Sequence, residues 1–189
     1  MVEPVSIFAL WLPIVVSAVF VFIVSSLMHM LLPYHQSDFK KLPEEDGIMD
    51  ALRGFNVPPG DYYFPHATGM KESKTPEYIE KCKNGPIGVV TFYKNGDMSM
   101  TGLFVMWFFY SILVSIFAAY IAGRALGADA YYLEVFRFVG VSSFMGYSFA
   151  LLQNSIWFKK SWCTSMKNVF DGLIYGLVTA GVFGWLWPR

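Results

Sequence analysis

A chain of 189 residues that is 55% hydrophobic, 19% aromatic and only 15% charged lacks the polar surface of an ordinary water-soluble domain, where about a quarter of residues are charged. Its 14 basic and 14 acidic side chains cancel, so there is no net field to hold a nucleic-acid backbone, and a nucleic-acid partner is set aside. Cys82 and Cys163 are the only cysteines, too few for a disulfide scaffold or a four-ligand zinc motif.

A helix rises 1.5 Å per residue, so about 20 apolar residues cross a hydrocarbon core of about 30 Å. Four stretches meet that requirement, which predicts an all-α integral membrane fold: a four-transmembrane-helix bundle with a small mixed α/β insertion between helices 1 and 2. The first span lies within residues 1–32, with its apolar body from Ile7 to Leu32. Glu3 is the only charge ahead of it. A cleaved leader needs a positive start, so this stretch is expected to remain as an anchor.

Residues 33–98 form the polar insertion. Pro43 followed by Glu44, Glu45 and Asp46 reads as a helix start, Ile48, Met49, Leu52 and Phe55 recur at helical spacing, and Gly54 is the stop. So short an amphipathic helix is marginal alone in water and is expected to lie on the bilayer or against the bundle. Pro58, Pro59 and Gly60 signal a turn, and the aromatic stretch Tyr62, Tyr63 and Phe64 ends at Pro65. Thr75, Pro76 and Glu77 supply a cap, an N1 proline and a first-turn acid for a second helix closed by Gly85 and Pro86. Ile87 to Tyr93 is β-branched and aromatic, and Asn95–Gly96 after it is a hairpin signal.

The remaining spans are expected at about 99–123, 133–158 and 166–187. The last reaches full length only if Asp171 enters its first turns, where the helix dipole favours a carboxylate. Lys40, Lys41, Lys94, Lys159, Lys160 and Lys167 then fall on one face, and Arg124, Arg137 and Arg189 on the other. This bias predicts both termini outside and the long loop in the cytoplasm, in a bacterial-type inner (plasma) membrane. Trp11, Trp107, Trp157, Trp162, Trp185 and Trp187 lie near span ends, as interfacial belts do.

In lipid, close helix packing depends on small side chains. Span two carries Ser111, Ser115, Ala119 and Gly123, span three Ser142, Gly146 and Ala150, and span four Gly172, Gly176, Ala180 and Gly184, each four residues apart. These ladders serve packing within the bundle, or one of them faces outward to make a homo-oligomer or dock a larger membrane-protein partner.

Ionisable groups inside spans are functional candidates. His29 near the end of span one shares its expected depth with Gln153 and Asn154 of span three and with Asn168 and Asp171 of span four. An Asp171–His29 pair in a ligand-binding or proton-linked layer is one reading; a structural polar layer, with Lys167 pairing Asp171 one turn along the helix, is the other. Met28, His29, Met30, His35, His66, Cys82 and Cys163 fall on or near that face. No two of them show a recognised metal spacing, so neither metal nor another cofactor is expected. No catalytic motif occurs. The expected function is therefore non-enzymatic: an accessory or assembly subunit in the lipid bilayer acting through helix packing. The alternative is a small transport or ligand-binding protein using the His/Asn/Asp layer.

Overall fold

A computed structural model describes residues 3–97 and 99–188. In chain order the elements are α1 (Trp11–Leu31), α2 (Glu45–Gly54), β1 (Gly60–Phe64), α3 (Pro76–Asn84), β2 (Gly88–Phe92), α4 (Met100–Ala125), α5 (Tyr132–Ser148), α6 (Leu152–Phe158) and α7 (Trp162–Leu186). They divide into two compact units, Met1–Phe39 with Ser99–Arg189, and Lys40–Met98.

The first unit holds four helical stretches long and apolar enough to cross a membrane: Ile7–Leu31, Met100–Ala125, Tyr132–Phe158 and Trp162–Leu186. A turn of 3-10 helix over Ile7–Leu10, begun by Ser6 accepting the Phe8 N–H at 3.1 Å, leads into α1. Pro13 sits in the first turn of α1, where a missing N–H costs least. Leu32 precedes Pro33 and is forced into extended backbone with ψ 127°, which ends the helix. Glu134 opens α5 by accepting the Tyr131 N–H at 2.9 Å.

α1 packs on α4 and α7, and α5 packs on the same two helices, closing a four-helix ring. The ladders of small residues lie within this ring. Ser111, Ser115, Ala119 and Gly123 are buried on α4, and Gly172, Gly176, Ala180 and Gly184 are buried on α7. A Cβ on Gly176 would stand 3.1 Å from the Phe144 nitrogen and 3.2 Å from the Gly140 oxygen, so the α5 and α7 backbones touch. On Gly146 it would meet Val114 at 3.1 Å.

The third ladder is incomplete. Ser142 is half-buried and bonds back to the Phe138 carbonyl at 2.7 Å, while Ala150 is exposed. The reason is a break: the third stretch is α5 and α6 joined by a 3-10 turn over Phe149–Leu151, and that turn advances each residue by about 120° instead of 100°. Two tryptophans also depart from the belt expectation. Trp107 donates to Ser25 Oγ at 2.8 Å, and Trp187, 5% exposed, donates to the Gly127 carbonyl at 2.9 Å.

In the second unit α2 and α3 occupy the expected segments, with Thr75 Oγ1 accepting the Tyr78 N–H at 3.3 Å. The hairpin is different. β2 pairs antiparallel with β1, Gly60 facing Phe92 and Phe64 facing Gly88, across a connection that contains α3. Asn95–Gly96 lies beyond β2 and joins no strands among the described residues. Aromatic Tyr62–Phe64 supplies the edge that β2 needs, so the pairing forms upstream.

Candidate functional site

The first unit brings a cluster of charged side chains together where α1 ends and α7 begins. Because Pro33 stops α1, the Pro33–His35 segment forms a 3-10 turn, and Tyr34 and His35 both reach Asp171. α7 begins at Trp162, four residues before the expected start, which puts Asp171 in its third turn. The helix dipole has faded there, and a carboxylate that is 3% exposed must be held by side chains.

Its partners come from α1 and the turn after it. Asp171 Oδ1 accepts the Tyr34 hydroxyl, and Oδ2 lies 2.8 Å from His35 Nε2 and 4.0 Å from His29 Nε2. His35 Nδ1 in turn donates to Asp38 Oδ2 at 2.6 Å. Asp38 Oδ1 accepts from Lys167 Nζ at 2.8 Å and from Thr164 Oγ1 at 3.4 Å. Lys167 also donates to Ser37 Oγ at 2.8 Å and to the Tyr34 carbonyl. The His29 Nδ1–H donates to the Ser25 carbonyl at 3.0 Å, which leaves Nε2 facing Asp171. The two imidazoles stack, centroids 4.5 Å apart and 10° from parallel.

Lys167 therefore does not pair with Asp171 one turn along its own helix. Both Asp171 oxygens are already taken by Tyr34 and His35, and the lysine joins the turn carrying Asp38. Both His35 nitrogens face carboxyl oxygens, so the ring bridges Asp38 and Asp171. Burial, the bond to Asp171 and the charges of Asp171 and Asp38 push the Tyr34 phenol above its ordinary range. Burial also opposes ionisation of Asp38, but the bonds and charges of Lys167 and His35 outweigh it and hold that carboxyl below its ordinary value.

Of the residues expected in this layer, His29 and Asp171 come together. Asn154 and Asn168 are half-buried and Gln153 is exposed, and among the described residues none sends a side-chain hydrogen bond into the cluster. Gln153 and Asn154 follow the 3-10 break, which changes their phase. The working partners Tyr34, His35 and Asp38 lie just past the helix stop. The signal for them was Pro33 itself, with Tyr34 directly after it and His35 and Asp38 three residues apart.

Two clefts border the cluster. One of about 400 Å³ is lined by His29, Ser26, Met30, Met100, Phe104 and Trp107. The other, about 420 Å³, is lined by Met28, Tyr34, Cys163, Met166, Lys167 and Phe170.

Deeper in, Tyr175 follows Asp171 by one turn, its ring 5.5 Å from that of Tyr147, and among the described residues neither hydroxyl has a hydrogen-bond partner although both residues are buried. Among the described residues the Ser143 hydroxyl also lacks a partner, and Ser17 and Ser115 pair their hydroxyls at 3.0 Å. The protein thus offers a titratable, donor-rich centre with hydroxyls behind it. In comparisons with protein-family models, with curated proteins and with solved structures, the chain has no match.

Proposed function

We propose that the chain is a non-enzymatic, multi-pass membrane protein that binds a small cationic solute at the His29, His35 and Asp171 centre and transports it. The observation that carries this reading is Asp171, a carboxylate 3% exposed on a helix apolar enough to cross a membrane, facing two imidazoles. Ionisable groups so placed are costly and mark ion or substrate paths. The His29 Nε2 and the Asp171 oxygen can act as electron-pair donors, which favours a positively charged solute. The hydroxyls of Tyr175, Tyr147 and Ser143, which have no partner among the described residues, extend the polar route into the bundle. The small-residue ladders on α4 and α7 are occupied inside the chain, so those two lend no weight to an accessory role built on packing with a partner. In this reading both termini lie outside and residues 33–98 in the cytoplasm, as the lysine bias favours.

The test is charge movement. Full-length protein reconstituted on a solid-supported membrane is exposed to jumps in proton, sodium, potassium, magnesium and zinc concentration. A transient current for at least one cation is expected, reduced at least tenfold in Asp171→Asn. No current above that of protein-free membranes for any of these ions refutes the reading.

A further inference from the structure

We propose that the cation is a divalent transition metal of the zinc class, held by His29 Nε2, His35 Nε2 and Asp171 Oδ2 with a fourth position open to water; this rests on the cation-binding reading above. These three atoms all lie within 4.8 Å of one another although their residues come from α1, the turn after it and α7. Each candidate ligand is also held from behind. His29 Nδ1 is tied to the Ser25 carbonyl, His35 Nδ1 to Asp38, and Asp171 Oδ1 to the Tyr34 hydroxyl. Outer partners of this kind fix the tautomer and direction of metal-binding imidazoles and carboxylates. The three ligand atoms thus gather within one ion's reach from three separate segments of the chain.

The donor set decides the class of ion. Two imidazoles and one carboxylate suit zinc and its transition-metal neighbours, whereas calcium and magnesium require oxygen ligands. Bonds of about 2.0–2.2 Å to a tetrahedral ion put donors roughly 3.3 Å apart. The His35–Asp171 distance of 2.8 Å must open and the His29–Asp171 distance of 4.0 Å must close. His29 is the free jaw: its side chain is 50% exposed and anchored only at Nδ1. On binding, three coordinate bonds form, the His35 Nε2–H bond breaks, and that proton leaves to water. His35 keeps its Nδ1 proton on Asp38. The centre gains one positive charge, with Asp38 behind it.

The experiment is titration of purified full-length protein with Co2+, followed by displacement with Zn2+. Visible absorption from one Co2+ per chain is expected, abolished by excess Zn2+. Affinity should fall at least 100-fold in His29→Gln and in His35→Gln, and about 10- to 100-fold in Asp38→Asn, which touches the ion only through His35. His29→Gln alters a half-exposed side chain and keeps the fold, so it remains decisive if His35→Gln does not fold. Absence of the cobalt band, or a band unchanged in His29→Gln, overturns the metal. If the cobalt band is absent while another cation still drives a current lost in Asp171→Asn, the metal falls and the cation-binding reading stands; if both are absent, both fall.

Discussion

The two ends of the helical unit are closed by different physics. Where α1 and α5 begin and α4 and α7 finish, Leu10, Val135, Val139 and Phe183 are fully buried. The polar groups there turn to backbone: the Val5 N–H donates to the Gly123 carbonyl at 2.8 Å and Trp187 to the Gly127 carbonyl. At the opposite end lies Asp171, the one buried charged residue among those described, surrounded by His35, Tyr34 and His29, while the Tyr147 and Tyr175 hydroxyls lack partners among the same residues. The first end is held by volume, which tolerates no added atom; the second is held by directional bonds, which tolerate a change of shape but not of partner.

Adding volume to the α5–α7 seam should give the largest effect. Gly176→Leu places its side chain against the Phe144 and Gly140 backbone, 3.1–3.2 Å from its Cβ, and neither can move aside as a rotamer would. A loss of about 3 kcal/mol is expected, read as a lowered unfolding midpoint in mild detergent. A wild-type midpoint would mean that volume does not close the bundle.

Partner loss at the charged end comes next. Asp38→Asn removes the anion shared by His35 and Lys167 and should cost about 2 kcal/mol at neutral pH. The sign of its pH dependence follows from the lowered carboxyl. That stabilisation is complete above the ordinary value of 3.8 and disappears as pH falls through the lower folded value. The gap in unfolding midpoint between wild type and Asp38→Asn should therefore be full at pH 7 and close on acidification below about pH 4. A gap that stays constant from pH 7 to pH 3 would show that Asp38 acts through shape and not charge.

The apolar end was more legible in the sequence than the charged one, for a physical reason. Packing residues recur at helical spacing, so the ladders on α4 and α7 announce themselves along one strip of chain, and the span limits follow from length and charge. α2 and α3 were equally plain because Gly54, Thr75 and Pro76 are local signals. The centre depends instead on residues far apart: Tyr34 and Asp171 are separated by 137 positions. Only His29 and Asp171 could be picked out, as ionisable groups inside apolar runs. His35 and Asp38 stood in what reads as a polar loop, and Asn154 and Asn168 were drawn in by depth alone. The β1–β2 pairing failed the local signal for the same reason, since Asn95–Gly96 was adjacent and Tyr62–Phe64 was not.

The finest test sets two glycines of α4 against each other. At Gly123 an added Cβ would stand 2.7 Å from the Val5 carbonyl oxygen and 3.4 Å from Leu10 Cδ1, because the Val5 N–H bonds to the Gly123 carbonyl and draws the two backbones together. Gly123→Ala must break that approach, at about 1–2 kcal/mol. Gly102, near the other end of the same helix, has nothing within 4 Å of its Cβ position. There alanine only removes glycine's backbone freedom, and Gly102→Ala should stabilise by about 0.5–1 kcal/mol. The same substitution on one helix should thus shift the unfolding midpoint in opposite directions. Equal shifts would mean that helix propensity, and not contact with Val5, governs both sites, and the volume argument for the apolar end would lose its support.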